Sequence, residues 1–549
     1  MFLDRFKKKI RPEFMGHNEH SIMHLGIDTK GRPIRTDSNT IRTHTLVTGT
    51  TGAGKTAALI GFMSNAFAWG SGGIFVDGKG DINVYAAMAG LAEHYDRRDD
   101  LYVLNFMLGN GDASGVARRS HRFNPFEKGS SDSLTMMLTD IFADPSTPAM
   151  WTGRAVAMLT GLMRFLCWMR DEQGQYLDAA VIRNHLNLRT FIDIAHSERF
   201  DHVPPAIRKA VASYLSSLPS FMLDNGYGQS QETLSQHGFL EMQLTRMLGT
   251  MADVYGHIFC AGSSDIDMDD IINNRRFLLV LLPALEKSHD EIAMLGKVVL
   301  ASLKRMAGGR LGRDIKGSWH DVSKSVAPHG PPFLCVFDEV GYYAVDGMDL
   351  LCAQARSLNI GLIFASQDMQ ALFNANSRVA RSILATTRTK IIMRTESWDP
   401  ELDELLFDAE AGRDDVRAAI RKTSRLKHGN LFGSARLFAR ELDEGSFLLV
   451  NSGKILVGKA NYVMIHPKGP LSLARFASIS DTTERLLQLE EERRHAETRG
   501  RNDMTDMIAP LAGASDAGGS DLLEAALKCI LNADPQTSAP VREIVKTGV

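Results

Sequence analysis

Cysteine, net charge, aromatic residues and long apolar runs are all scarce in this chain. Only 5 cysteines occur among 549 residues. Cys167, Cys260, Cys335, Cys352 and Cys529 are odd in number and widely spaced, without a C-x-x-C pair or a histidine at zinc spacing. That excludes a disulfide scaffold and predicts small buried hydrophobes in a reducing compartment. The 62 Lys+Arg against 65 Asp+Glu leave a net charge of −3, which excludes a protein that binds nucleic acid by being basic everywhere. Any polyanion contact must come from a local patch. The longest apolar run, Phe277 to Leu282, stops at Pro283, far short of the ~18 residues that span a bilayer. Met1–Phe14 carries charges without the apolar stretch of a signal peptide. With 44% hydrophobic, 7% aromatic and 23% charged residues, the chain is neither collagen-like nor wholly disordered. The expectation is a cytosolic, core-forming chain long enough for about three domain-sized units.

Short β-rich runs recur: Thr45–Thr48, Gly73–Asp77, Leu101–Asn105, Phe277–Leu282, Phe333–Asp338, Gly361–Ser366, Thr389–Met393 and Ser446–Val450. Their continuous apolar character suits strands covered on both faces, as in a parallel α/β sheet. Helical stretches such as Thr56–Trp69 and His289–Met306 fit βαβ crossovers between them. From 127 to 270 the pattern turns helical, in Leu134–Phe142, Met150–Met169, Pro205–Leu218 and Leu234–Phe259. Met150–Met169 is apolar nearly all round, which predicts a central bundle helix packed through Trp151, Met158, Met163, Phe165 and Trp168. The expected organisation is a basic flank at 1–20, a nucleotide-binding α/β domain formed by 21–126 and 271–470, an all-α domain inserted at 127–270, and a tail at 471–549. Two successive domains are the alternative to an insertion. The tail reads as linker with one amphipathic stretch, Asp521–Leu531.

The chemistry starts at Gly49-Thr50-Thr51-Gly52-Ala53-Gly54-Lys55-Thr56, a G-x-x-x-x-G-K-T run between a strand and a helix. Glycines let backbone N–H groups curl around phosphates at a positive helix end, Lys55 reaches the β/γ-phosphates, and the Thr56 hydroxyl binds Mg²⁺. The cofactors implied are ATP and Mg²⁺. Asp338 ends an apolar strand as the metal-holding carboxylate, and Glu339 beside it can polarise water for hydrolysis. Read alone, the same pair could cap the next helix.

The loop at Gly49, together with Phe75-Val76-Asp77-Gly78-Lys79-Gly80-Asp81, Phe123-Asn124-Pro125-Phe126, Asp338-Glu339-Val340-Gly341-Tyr342-Tyr343, Gln354-Ala355-Arg356-Ser357 and Phe364-Ala365-Ser366-Gln367-Asp368, resembles the type IV secretion coupling proteins, in particular the DotL/IcmO and plasmid TrbC/TraD-like group. The likeness covers roughly 20–470, helical insertion included. It implies a RecA-like P-loop NTPase fold and an ATPase that recruits DNA, nucleoprotein or effector protein and drives it into a secretion or conjugation apparatus. It also implies that Asp77 and Lys79 lie beside the nucleotide; unaided, they read equally as a strand-end salt bridge. Arg356, eighteen residues after Asp338, falls where the family offers an arginine finger to an adjacent subunit, hence a homo-hexamer. By itself it reads as a solvated helix arginine. Gln367 matches a γ-phosphate sensor or, more plainly, a backbone cap.

For cargo, Arg413, Arg417, Arg421 and Arg425 lie at four-residue spacing near Lys422, Lys427 and His428, with a looser cluster at Lys304, Arg305, Arg310 and Arg313. Both could hold nucleic acid or be salt-bridged surface. Phe2, Phe6 and Ile10 beside Arg5, Lys7, Lys8, Lys9 and Arg11 resemble the cytoplasmic flank of a membrane segment, or a plain basic arm. The family's usual membrane-spanning helices are missing, as in a trimmed chain or one meeting the membrane peripherally. The resemblance places the protein at the cytoplasmic face of the bacterial inner membrane, with secretion machinery and adaptor proteins as partners. Two other readings stand beside this one: a DNA translocase of the FtsK/HerA type, and a receptor platform that uses nucleotide for assembly.

Overall fold

The computed structural model describes residues 22–109, 119–142, 149–260, 263–311, 330–344, 347–367, 369–395, 439–451, 454–463, 465–469, 471 and 473. Its strands are β1 (Ile22–Asp28), β2 (Pro33–Asp37), β3 (Thr45–Thr48), β4 (Gly73–Asp77), β5 (Leu101–Asn105), β6 (Phe277–Leu281), β7 (Phe333–Asp338), β8 (Ile360–Ser366), β9 (Thr389–Met393), β10 (Ser446–Asn451) and β11 (Lys454–Ala460). They form an 11-stranded sheet in the order β2-β1-β11-β10-β9-β3-β8-β7-β4-β6-β5. From β9 to β5 every pairing is parallel. The other end, β9-β10-β11-β1-β2, is antiparallel throughout.

The strands of the parallel half are buried on both faces. Val47, Phe75, Leu279, Val336 and Ile363 point to one core, shared with α1 (Lys55–Ala68) and α2 (Ile82–His94). Leu46, Val76, Leu278, Cys335 and Phe364 point to the other. Burial of a large apolar side chain contributes about 1.5–3 kcal/mol, so two-sided burial favours apolar residues at every position and erases the alternation of a half-exposed strand. One strand run is corrected on this point. The apolar run at Ser446 suggests a parallel strand, yet β10 pairs antiparallel with β9 and β11. An unbroken apolar run reports two covered faces, not strand direction.

Between β5 and β6 every described element is helical: α3 (Ser131–Phe142), α4 (Ala149–Gln173), α5 (Leu188–His196), α6 (Pro205–Ser216), α7 (Gln231–Gly249) and shorter turns. Within α4, Met158, Met163 and Phe165 are buried and Trp168 is partly so. These helices share a continuous core with one sheet face and with α8 (His289–Leu311). The helix expected over Leu234–Phe259 is broken. It leaves α-geometry at Gly249, passes through a π-turn at Thr250–Val254 and resumes at Gly256, placing Tyr255 fully inside the core. Cys167, Cys335 and Cys352 are buried and Cys260 is half-buried. Cys529 and the tail lie outside the described residues. No helix among the described residues is long and apolar enough to cross a membrane.

After β11 the chain passes over α1 and α2. A Cβ on Gly61 would overlap the Asn461 carbonyl, and one on Gly90 would overlap that of Ile465. Glycine at both positions lets the backbone lie directly on the helices.

Candidate functional site

The site forms where parallel strands end, the usual place for ligands in such sheets. β3 stops at Thr48, and the loop at 49–54 turns into α1 through Gly54, whose φ of 89° is a conformation glycine takes freely. Gly54 offers no side-chain cap, so the first-turn N–H groups of α1 point outward at the positive end of its dipole. The loop is tied to the end of β9, since Thr50 N–H donates to the Arg394 carbonyl at 2.8 Å.

β4 and β7 are neighbours with Asp77 opposite Asp338, so two acidic strand ends meet beside the loop. Asp338 is fully buried. Its Oδ2 accepts the Thr56 hydroxyl at 2.8 Å, and its Oδ1 accepts the Glu339 amide at 3.0 Å. Burial, and then the neighbouring Glu339, push its carboxyl up to about 6. Tyr343 donates its hydroxyl to the Asp338 carbonyl at 2.8 Å. Glu339 adopts φ 51°, ψ 46°, a strained backbone for a non-glycine residue and of the kind that gathers at functional sites. Its side chain is 3% exposed. Oε2 accepts the backbone amide of Gln367 at 3.1 Å. Oε1 lies 2.8 Å from Lys79 Nζ and 3.5 Å from Lys55 Nζ but accepts no well-aligned hydrogen bond.

Lys55 donates to the Gly49 carbonyl at 2.7 Å, and burial lowers its ammonium below the usual range despite Glu339 and Asp338 nearby. At Lys79 burial pulls the same way, but the Glu339 carboxylate outweighs it and raises the ammonium. Asp77 spends its oxygens on its own turn, accepting from the amides of Lys79 at 2.9 Å and Asp81 at 2.6 Å. Burial raises its carboxyl.

Lys55, Thr56, Asp77, Lys79, Asp338, Glu339 and the Gln367 amide thus converge. Arg356 does not join them. It is exposed at the C-terminus of α9 (Met348–Ala355), ahead of β8, about 20 Å along a seven-residue strand from the end that holds the loop. Lys304 is paired with Asp140 at 2.7 Å, and Arg305 is part-buried, its charge disfavoured by desolvation. The side chains of Arg310 and Arg313 and the whole stripe from Arg413 to Arg425 lie outside the described residues, as do residues 1–21.

Two residues beside the loop escape sequence reasoning. Arg394 sends Nη2 to the Gly52 carbonyl at 3.3 Å and buries its Nε without a partner. Tyr462 lays its hydroxyl where a Cβ on Gly54 would be. Both follow strands, but only the strand order brings those strands to the loop. The one available signal was Arg394 directly after the expected strand Thr389–Met393.

Thr56 Oγ1 and Asp338 Oδ2 are adjacent hard oxygen donors of the kind a divalent cation takes alongside phosphate and water. The outward amides of α1 and the loop glycines form a cradle for phosphate. Fold and site together define a RecA-like P-loop protein. Over 399 residues, 69% of its length, the chain is 40% identical to the type 4 coupling protein DotL of Legionella pneumophila and covers 51% of it. The chain therefore spans about half the length of that relative. Among solved structures it resembles the bacterial conjugative coupling protein TrwBdeltaN70, with a TM-score of 0.51 at 13% identity over 86% of this chain and 94% of the other. Plasmid coupling protein TrwB in complex with the GTP analogue GDPNP gives 0.51 at 12% identity over 86% and 95%. No protein-family model matches. The chain belongs to the type IV coupling protein family.

Proposed function

We propose that this protein is an ATP-hydrolysing coupling protein that recruits DNA, nucleoprotein or effector protein and drives it into a type IV secretion or conjugation apparatus. The observation that carries the proposal is the buried Lys55–Asp338–Glu339 cluster at the mouth of the Gly49–Thr56 loop, in a chain of this family. TrwB has been solved with ADP and Mg²⁺ and with a non-hydrolysable ATP analogue. Here the loop amides and Lys55 would hold the phosphates, while Thr56 and Asp338 would hold Mg²⁺, which supplies charge neutralisation at the reacting phosphate. Glu339 orients the water, and Gln367 links its carboxylate to β8. Arg356 lies too far from its own loop to serve it, so its role as an arginine finger is one performed on a neighbouring subunit in a ring, a homo-hexamer. The helices within 127–270 and the tail from 471 are the docking surfaces for substrate and adaptors. The working place is the cytoplasmic face of the inner membrane.

The test is ATP turnover and substrate transfer by the full chain. Lys55→Ala abolishes both. Glu339→Gln lowers kcat by about 100-fold or more while ATP still binds. Arg356→Ala costs about 1,000-fold in turnover. Normal transfer by all three variants overturns the motor reading.

A further inference from the structure

Lys79 sits in a turn pressed against the Asp338–Glu339 dipeptide. Asp77 clamps that turn through the amides of Lys79 and Asp81, and the Gly78 amide donates to the Asp338 carbonyl at 3.2 Å. A Cβ on Gly78 would come within 2.9 Å of that carbonyl oxygen and 3.1 Å of the Glu339 Cβ, so glycine is what permits the approach. The turn delivers the Lys79 ammonium to 2.8 Å from Glu339 Oε1. Lys55 is farther, at 3.5 Å, and is committed to the Gly49 carbonyl.

We infer that Lys79 is a positioning residue for Glu339, holding its carboxylate at the loop mouth, and is not a ligand of the nucleotide. The inference rests on the ATPase reading and assigns a role within it. Lys55 belongs to the phosphate loop, and when it turns to phosphate the cation left on Glu339 Oε1 is Lys79. A lysine that binds phosphate governs nucleotide affinity, whereas a lysine that places the water-orienting carboxylate governs turnover alone.

The experiment measures mant-ATP binding, steady-state hydrolysis and thermal melting of the full chain carrying Lys79→Met, Lys79→Arg, Lys55→Ala, Glu339→Gln or Lys79→Met with Glu339→Gln. The expected result is that Lys79→Met lowers kcat about 10-fold or more, leaves the mant-ATP Kd within about twofold, and is rescued to within about threefold by Lys79→Arg. The double variant melts higher than the sum of the single shifts predicts, because the two residues are coupled. A loss of mant-ATP affinity like that of Lys55→Ala would make Lys79 a nucleotide ligand. An unchanged kcat, or additive melting shifts, would reduce the pair to an incidental ion pair. Failure of the ATPase reading appears separately, as absence of turnover in the parent chain, and the binding and melting arms then still decide the role of Lys79.

Discussion

Two polar clusters in this chain are built on opposite principles. At the loop mouth Lys55, Lys79, Asp338 and Glu339 bring four ionisable groups together around a strained backbone. In the helices between β5 and β6, His237 Nε2 lies 2.8 Å from the Leu186 carbonyl and Nδ1 lies 2.8 Å from the Tyr214 hydroxyl. A carbonyl can only accept, so Nε2 carries the proton and Nδ1 accepts from Tyr214, which makes the ring neutral and satisfied at both nitrogens. Burial drives its ionisation down to about 4. The second cluster is complete in itself. The first crowds two lysines against Glu339 Oε1, at 2.8 and 3.5 Å, and holds Asp338 at a raised carboxyl, the pattern that marks functional sites.

The largest contrast comes from neutralising Asp338. Its carboxyl is raised from 3.8 to about 6, so the folded chain binds this proton more tightly than the unfolded one. Stability from this group therefore falls as pH rises from about 4 to about 6, and at neutral pH the ionised carboxylate costs up to about 3 kcal/mol. Asp338→Asn removes that cost. The expected outcome is loss of ATP turnover together with a higher melting temperature at pH 7, checked by calorimetry beside an ATPase assay. A variant that melts lower at pH 7 would show that the carboxylate's hydrogen bonds outweigh its desolvation.

How the two clusters could be read from sequence differs for the same reason. Gly49–Thr56 and the strand ending at Asp338-Glu339 are local patterns, so the loop, its cation and its carboxylates were legible, as were the runs that became β3 to β10. The flanking strands β1, β2 and β11 were not; β1 and β11 have few consecutive apolar residues, and Pro33 opens β2. Nor was the contact of Lys79 with Glu339, which depends on β4 lying beside β7 although more than 250 residues separate them. Arg394 and Tyr462 reach the loop by the same non-local ordering. His237, Tyr214 and Leu186 meet only once the helices pack, and nothing in their spacing announces it.

The helical cluster predicts the opposite acid response. The His237 ionisation is lowered from 6.5 to about 4, so its contribution is intact above about 6.5 and is lost progressively as pH falls to about 4, at a total cost of about 3 kcal/mol. The Glu241 carboxylate lies 3.9 Å from Nε2. Urea unfolding followed between pH 7 and pH 4 should give a steeper loss for the parent chain than for His237→Asn, which has no proton to take up. Equal slopes would mean that the ring titrates as it does in the unfolded chain.

The smallest effect separates hydrogen bonding from packing in that same cluster. Tyr214 is 2% exposed, and its ring sits 5.2 Å from that of Phe191, so Tyr214→Phe keeps the buried aromatic surface and removes only the hydroxyl. His237 Nδ1 is then left as a buried acceptor without its donor. A net hydrogen bond of this kind contributes about 1 kcal/mol, and the unsatisfied acceptor adds to the loss. The expected destabilisation is about 1–2 kcal/mol in urea unfolding, with ATP turnover unchanged. It should shrink in a His237→Leu background, where no acceptor remains to be orphaned. Were the penalty the same in both backgrounds, the hydroxyl would be acting through packing and not through the histidine. The helical cluster would then no longer stand as the satisfied counterpart of the loop mouth.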